Sequence, residues 1–407
     1  MKHVLIITAV VVLYGIGNGL MVVGTPQLAL HLGVSSRELG LLGIGSPLGY
    51  ALSCLLLGRI SHKVSSKAML LCGALSGVLA IVAMALSQSA WTCAVSQLLY
   101  GLTAGAFWPF ASAWMLEFQS QSLSKTTIFR FYNAAWTGGE ACGMFIGGSL
   151  CDRGWIIESL FVAAVFTVFS FVLAFAGRSS SLPLDLSLQD PGQQDPFTTL
   201  PSIRPLRLGL PLLAAAVIAN LAVLATRSVV TVNYAELNQF QNFGASRMGI
   251  IVGSILLSQL AAFLLGYFYE PYLGLRRIYI LLAISLMGIN LAFAYGTHIW
   301  ILTAAGIVLG LSAAVAFQAG IIAATDTFSR PRSGTTFHEA VIGIGGLSPL
   351  FAGLVVEYSK SNGVEALQAL RAPFVLLAIV IGGGLLLQMG LVSLRSEKRV
   401  LLPKIRL

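Results

Sequence analysis

The sequence predicts an all-α, polytopic membrane protein, and three observations carry that prediction. Only 10% of its 407 residues are charged, against 57% that are hydrophobic, whereas soluble domains carry about 25% charged residues. So few charges cannot cover a water-facing surface of this size. The mean hydropathy is +0.86, and uncharged apolar runs recur from end to end, each close to the ~20 residues that cross a ~30 Å hydrocarbon core. Disorder, a collagen repeat and a disulfide-stapled secreted fold are excluded by the same composition.

Each span is bounded by charge or by a turn cluster. The first, 4–24, follows only Met1, Lys2 and His3. It is longer than a signal-peptide core and lacks a clear small-residue cleavage site, so it is read as retained. The second and third, 39–58 and 68–87, flank a basic stretch from Arg59 to Lys67. The fourth, 91–114, stops before Glu117; the fifth, 131–151, lies between Arg130 and Asp152; the sixth, 156–177, ends at Arg178. The second set comprises 208–232, 248–268, 276–296, 299–325, 337–358 and 372–394, again bounded by charge or turn clusters. Twelve transmembrane helices are therefore expected. The five cysteines (Cys54, Cys72, Cys93, Cys142 and Cys151) lie in or at the ends of apolar runs without metal-ligand spacing and read as small packing residues.

Orientation follows from the basic residues. With the N-terminus inside, 18 of the 24 Lys and Arg fall on cytoplasmic segments. Arg37, Arg153, Arg247, Lys360 and Arg371 lie outside, and Arg227 lies within a span. This positive-inside asymmetry places both termini in the cytoplasm, at the plasma membrane or, in a prokaryote, the inner membrane. It also accounts for the net charge of +9 through contact with anionic lipid, so nucleic acid is not an expected partner.

The long polar stretch between spans six and seven is rich in Pro, Ser, Gln and Asp and reads as a flexible cytoplasmic linker. The expected organisation is a six-helix bundle over 1–177, a linker over 178–207, a second bundle over 208–394 and a basic tail over 395–407. The halves can be laid over each other. A register of 205 pairs Asn133 with His338, Gly138 with Gly343 and Gly148 with Gly353. LGVSSRELG (Leu32 to Gly40) pairs with FGASRMG (Phe243 to Gly249), and Glu117 pairs with Asp326 at 209. Two pseudo-symmetric six-helix bundles suit a site that opens alternately to each side of the membrane.

With these residues in view, the chain resembles the major facilitator superfamily over essentially its whole length. The stretch GRISHKVSSK after span two is similar to that family's signature loop: Gly58, Lys63 and Lys67 fit, while His62 replaces an Asp and Ser65 a Gly. Its second-half counterpart, GYFYEPYLGLRR, keeps Glu270, Gly274, Arg276 and Arg277. The resemblance implies a cytoplasmic gate of Gly58, Lys63, Glu117, Arg130, Glu270, Arg276 and Asp326. His338 and Glu339, at the start of span eleven, are added as a proton access point or gate element. In span five, Gly139, Gly143, Gly147, Gly148 and Leu150 resemble the fifth-helix motif of the family's proton-coupled exporters, with Met144 in place of a proline and Pro349 and Gly353 at the repeat position. Small residues at this spacing let helices pack closely. In the fourth-helix motif Gly101 fits, while Gln97 and Tyr100 replace the usual Arg and Gln.

Ionisable residues inside a span are costly and mark function. Asn133, Trp136 and Glu140 share one face of span five, with Glu140 near mid-depth; Asn220, Arg227, Thr231 and Tyr234 share one face of span seven. These faces are expected to line a central cavity. Arg227 would serve either as a fixed cation for an anionic substrate group or as partner of Glu140, and Glu140 as the proton carrier. Burial disfavours a charged carboxyl and a neighbouring arginine favours it. Asn18, Gln27, Tyr50, Tyr100, Trp108, Gln259, Asn290 and Gln318 are further cavity candidates; Tyr50 and Gln259 share a repeat position 209 apart. With Trp136, these aromatics suit an amphipathic organic solute.

No phosphate-cradling glycine loop, metal-ligand cluster or catalytic pairing is seen, so no metal, cofactor or enzymatic activity is expected. The expected function is secondary transport of a small organic solute, with proton-driven export favoured. The alternatives are an uptake symporter or facilitator, or a non-transporting sensor with the same fold. By the family resemblance, the chain is expected to act as a monomer.

Overall fold

The computed structural model describes residues 2–60, 64–118, 125–177, 210–269, 272–327 and 331–393. They form twelve long helices in two pseudo-symmetric bundles. The first bundle holds α1 (Lys2–His31), α2 (Ser36–Ile60), α3 (Ser66–Ala85), α4 (Ala90–Leu116), α5 (Lys125–Asp152) and α6 (Ile156–Ala176). The second holds α7 (Leu210–Val232), α8 (Ala245–Leu264), α9 (Arg276–Tyr295), α10 (Ile299–Thr327), α11 in two segments (Pro331–Gly345 and Ser348–Ser361) and α12 (Ala366–Ser393). A short helix, Tyr234–Phe240, follows α7, and another, Gly266–Tyr269, follows α8.

Ten of the spans are both long and apolar enough to cross a membrane. The other two, α4 and α5, have 27 and 28 residues, about 40 Å at 1.5 Å per residue. Their hydropathy is lowered by residues that turn toward the centre of the protein, among them Gln97, Asn133 and Glu140. Elsewhere the large exposed side chains are apolar, as a lipid-facing surface requires: Leu79, Phe175, Phe351 and Leu386 are among them. An even number of crossings returns the chain to the face where α1 begins, here called the terminal face; the opposite one is the distal face.

Local chemistry starts and stops these helices. At α2, the Ser35 backbone N–H donates to the Glu38 carboxylate at 2.8 Å and the Glu38 N–H donates to the Ser35 hydroxyl at 3.2 Å. Ser89 and Thr92 exchange the same pair of bonds at α4, and each such box satisfies backbone donors that the first turn leaves open. At the distal ends of α1, α5 and α11, Gly33, Gly154 and Gly363 take φ of 71°, 81° and 78°, a left-handed conformation that glycine adopts at little cost. Lys67 at the start of α3 donates to the carbonyl of Phe175 at 3.1 Å and to that of Gly177, so it closes the end of α6.

Three features differ from the sequence reading. Span eleven is broken rather than continuous: a turn at Gly346 and Leu347 separates two segments, and Pro349, at the start of the second, has no N–H to give to the Gly345 carbonyl. The fifth helix begins at Lys125, about two turns before the predicted start. The register of the repeat also shifts. Gly33 and Asn242 (φ 57°) are 209 apart, and so are Gly154 and Gly363. At its distal end α11 is thus one turn away from the 205 register matched for Asn133 and His338. A shift of four residues returns nearly the same helical face, so glycine spacing alone could not separate the two registers.

The bundles meet along two helix pairs, α5 with α8 and α2 with α11. Small residues permit the close approach. A Cβ built on Gly43 would lie 2.8 Å from the Pro349 ring and one on Gly343 2.6 Å from Ala51. Within the first bundle α1 packs on α5, where Gly15 and Gly19 face the backbone around Glu140, and Gly139, Gly143 and Gly147 face α1 from Val12 to Val23.

Candidate functional site

That glycine packing has a chemical result, because it brings Asn18 on α1 against Glu140 on α5. The Asn18 amide donates to Glu140 Oε1, and the Tyr100 hydroxyl on α4 donates to Asn18 Oδ1 at 2.7 Å. From the second bundle, Arg227 Nη2 on α7 reaches Glu140 Oε2 at 3.6 Å, and Arg227 Nη1 donates to Gln259 Oε1 on α8 at 3.3 Å. Five side chains from five helices thus form one chain of polar contacts across the two bundles. The Glu140 side chain is 6% exposed and that of Arg227 21%. A carboxylate removed this far from water needs such partners.

The network borders a central cavity of about 380 Å³. Of the sequence-predicted residues, Asn18, Tyr50, Tyr100, Trp108, Trp136, Glu140, Asn220, Arg227 and Gln259 line it. Asn220 also ties α7 to α10, donating to the Ala316 carbonyl at 2.6 Å. Gln27, Asn290 and Gln318 do not line it. Gln318 accepts from the Tyr269 hydroxyl at 2.9 Å and Asn290 donates to Thr226 at 2.9 Å. Gln97 lines the wall as well and donates to Thr25 at 2.8 Å.

One aromatic series crosses the site. Ring centroids are 6.5 Å apart for Trp108 and Trp136, 6.3 Å for Trp136 and Phe263, 6.0 Å for Phe263 and Phe317, and 4.6 Å for Phe317 and His338. The step from Trp136 to Phe263 joins the two bundles. Mixed tilted and edge-to-face contacts at these spacings are favourable for aromatic pairs.

Residues expected at a gate divide into three groups. Lys63 and Glu270 lie outside the described residues; Gly58, Arg130 and Asp326 sit in helices, with the side chains of Arg130 and Asp326 outside what is described. Glu117 caps the end of α4, and Arg276 opens α9. Glu339 lines the central cavity and accepts from the Tyr50 hydroxyl at 3.0 Å. Its neighbour His338 is 2% exposed, with Nε2 lacking a hydrogen-bond partner. Of the helix-packing residues, Gly148 meets α8, Pro349 meets α2, and Gly353 meets the Ser36 backbone.

The structure also shows cross-bundle contacts that the sequence reading did not find, all on the distal face. The Ser36 hydroxyl on α2 donates to Glu236 Oε1 at 2.7 Å, and Lys360 donates to the same Glu236 oxygen and to Ser36 Oγ, each at 3.0 Å. Asp152, ending α5, accepts from the Ser246 hydroxyl at the start of α8, 2.9 Å away. The partners lie 94 to 324 residues apart, so no local pattern announces them. Among the described residues, no three His, Cys, Asp or Glu side chains group as a metal site would need.

Residues 7–269 match the family model of the Major Facilitator Superfamily. The chain belongs to that superfamily. A curated relative is YaaU of Escherichia coli (strain K12), described as a candidate metabolite transport protein. It is 32% identical over 136 residues, covering 33% of this chain and 30% of YaaU, so the match spans less than a third of that relative's length. Among solved structures, the nucleoside transporter NupG aligns with a TM-score of 0.74 at 15% identity, over 97% of this chain and 100% of NupG. A bacterial homologue of the human lysosomal transporter Spinster, in an inward-facing and occupied conformation, aligns with a TM-score of 0.72 at 14% identity, over 96% of each chain. At such identities these two likenesses show the shared fold. The chain is thus an integral, multi-pass membrane protein of the superfamily.

Proposed function

We propose that this chain is a secondary transporter that carries a small amphipathic organic solute through the central cavity by alternating access, with proton-coupled export as its direction of work. The observation that carries this reading is the Glu140–Arg227 contact at 3.6 Å, the charged contact made between the two bundles beside the cavity. When the bundles, taken as 1–177 and 208–394, rock about this site, the guanidinium moves relative to the carboxylate. A guanidinium beside a carboxyl group favours its charged form and an apolar wall its neutral form, so a change in this contact is what a proton-loading cycle needs. One rocking cycle can therefore load a proton on one side and release it on the other, with the solute moving in the opposite sense.

The positive-inside asymmetry supports cytoplasmic termini and an inner-membrane or plasma-membrane setting, with the linker 178–207 and the GRISHKVSSK loop on the cytoplasmic side. The glycine row of α5 supports export, since it resembles the exporters' fifth-helix motif. The cavity is complete within one chain, which supports a monomer. A second reading, a facilitator or uptake symporter, draws on Gln97, which stands where the family's motif has an arginine and is occupied with Thr25.

Glu140→Gln in proteoliposomes separates these readings. Loss of uphill, pH-gradient-driven flux with solute exchange retained supports the proton-coupled role. Unchanged uphill transport by the variant removes Glu140 from the coupling step.

A further inference from the structure

Among the described residues, the cavity is lined by two carboxylates and one guanidinium. Glu140 is matched by Arg227. Glu339 has no ion-pair partner among the described residues; a single hydroxyl, that of Tyr50, donates to its Oε2. With all three groups ionised, the described lining carries one net negative charge. An unmatched carboxylate in such surroundings is poorly solvated, so the site favours a counter-cation. Arg227 is a weaker anchor for an anion, because it is already engaged by Glu140 and Gln259.

The rest of the wall points the same way. Trp108, Tyr132, Trp136 and Phe317 line the cavity with Glu339, and the faces of aromatic rings attract cations. We propose that the substrate is an organic cation with an apolar or aromatic body, its charged group seated at Glu339 and its body lying along the Trp108–Trp136–Phe317 wall. The inference rests on the transporter reading of this cavity and adds the charge class of the solute. It also assigns Glu339 a substrate-recognition role in place of a gate.

Three two-ring probes that differ in charge test it: N-methylquinolinium, 1-naphthylmethanol and 1-naphthoate, each titrated calorimetrically into the full chain in nanodiscs. The cation is expected to bind at least ~10-fold more tightly than the neutral alcohol, with the anion weakest. Glu339→Gln should abolish the preference for the cation, while Tyr50→Phe, which leaves the carboxylate in place, should retain it. No excess of cation binding over the alcohol in the wild-type chain overturns the proposal without requiring any variant to fold. Tighter binding of 1-naphthoate does so as well, and an undiminished cation preference in folded Glu339→Gln removes Glu339 as the recognition group. These readouts are independent of coupling: Glu140→Gln flux can fail its expectation while the cation preference stands, and the reverse.

Discussion

Gly148 on α5 and Gly249 on α8 cross so closely that a Cβ on Gly148 would lie 2.8 Å from the Gly249 Cα. This is backbone against backbone across the two bundles, near the distal face, with no side chain able to move aside. Gly148→Val should therefore disfavour the arrangement seen here by about 1–3 kcal/mol, the usual cost of overpacking. The bundles should separate at that face, raising distal-face maleimide labelling of a cysteine placed in the cavity wall. Unchanged labelling in a folded variant would show that the crossing is free to adjust.

The Ser36–Glu236–Lys360 cluster ties the same face by polar contacts. Lys360 is 37% exposed and Glu236 19%, so solvent screens the pair and about 0.2–1 kcal/mol is at stake. Glu236→Gln is expected to change transport rate by no more than about fivefold while leaving the melting temperature within a few degrees. High salt should produce a similar change in the wild type and little further change in the variant. A loss of all transport in Glu236→Gln would assign this residue a larger role than a latch.

Asn18 is the donor that joins α1 to Glu140. Asn18→Ala removes a hydrogen bond to a buried charged group, a change of about 1.5–3 kcal/mol, and also strands the Tyr100 hydroxyl. Thermal unfolding should show the loss, and the Glu140→Gln/Asn18→Ala double variant should lose less than the sum of the two singles, because both act on one contact. Strict additivity would mean that the two residues do not share it.

Gly143→Ala tests the packing that positions this network. The added methyl would press into the Ile16 carbonyl and the backbone before Leu20, moving α1 away from α5 at a cost of about 1–3 kcal/mol. Gly138→Ala is the control, since the nearest atom to its added carbon is the tip of Leu260 at 3.8 Å. Melting temperatures of the two variants should differ in that order; equal values would show that α1 and α5 have slack between them.

Much of the site could be read from single residues. Glu140 and Arg227 stand out because a charge inside an apolar span has few reasons to be there, and the Asn133–Trp136–Glu140 spacing places three polar groups on one helical face. Tyr50, Tyr100, Trp108 and Gln259 were found as polar or aromatic interruptions of apolar runs. Gln318 carried the same local signal and yet faces Tyr269 outside the cavity wall, since periodicity shows a face without showing its neighbour. Glu339 read as a gate element because of its place near the start of a span; the contact with Tyr50 shows that α11 turns it inward.

The sequence by itself determined the number of spans, the class of fold and the presence of Glu140 and Arg227 as charges inside apolar spans. Transfer into hydrocarbon is set by about 20 consecutive residues at a time, so a linear scan captures it. Only the tertiary structure decided that Asn18 meets Glu140, that Gly148 crosses Gly249, that Ser36 meets Glu236 and that α11 breaks after Gly345 into two segments. These contacts join residues far apart in the chain, and which pairs meet depends on how closely particular helix backbones can approach, a property of two surfaces together rather than of either segment alone.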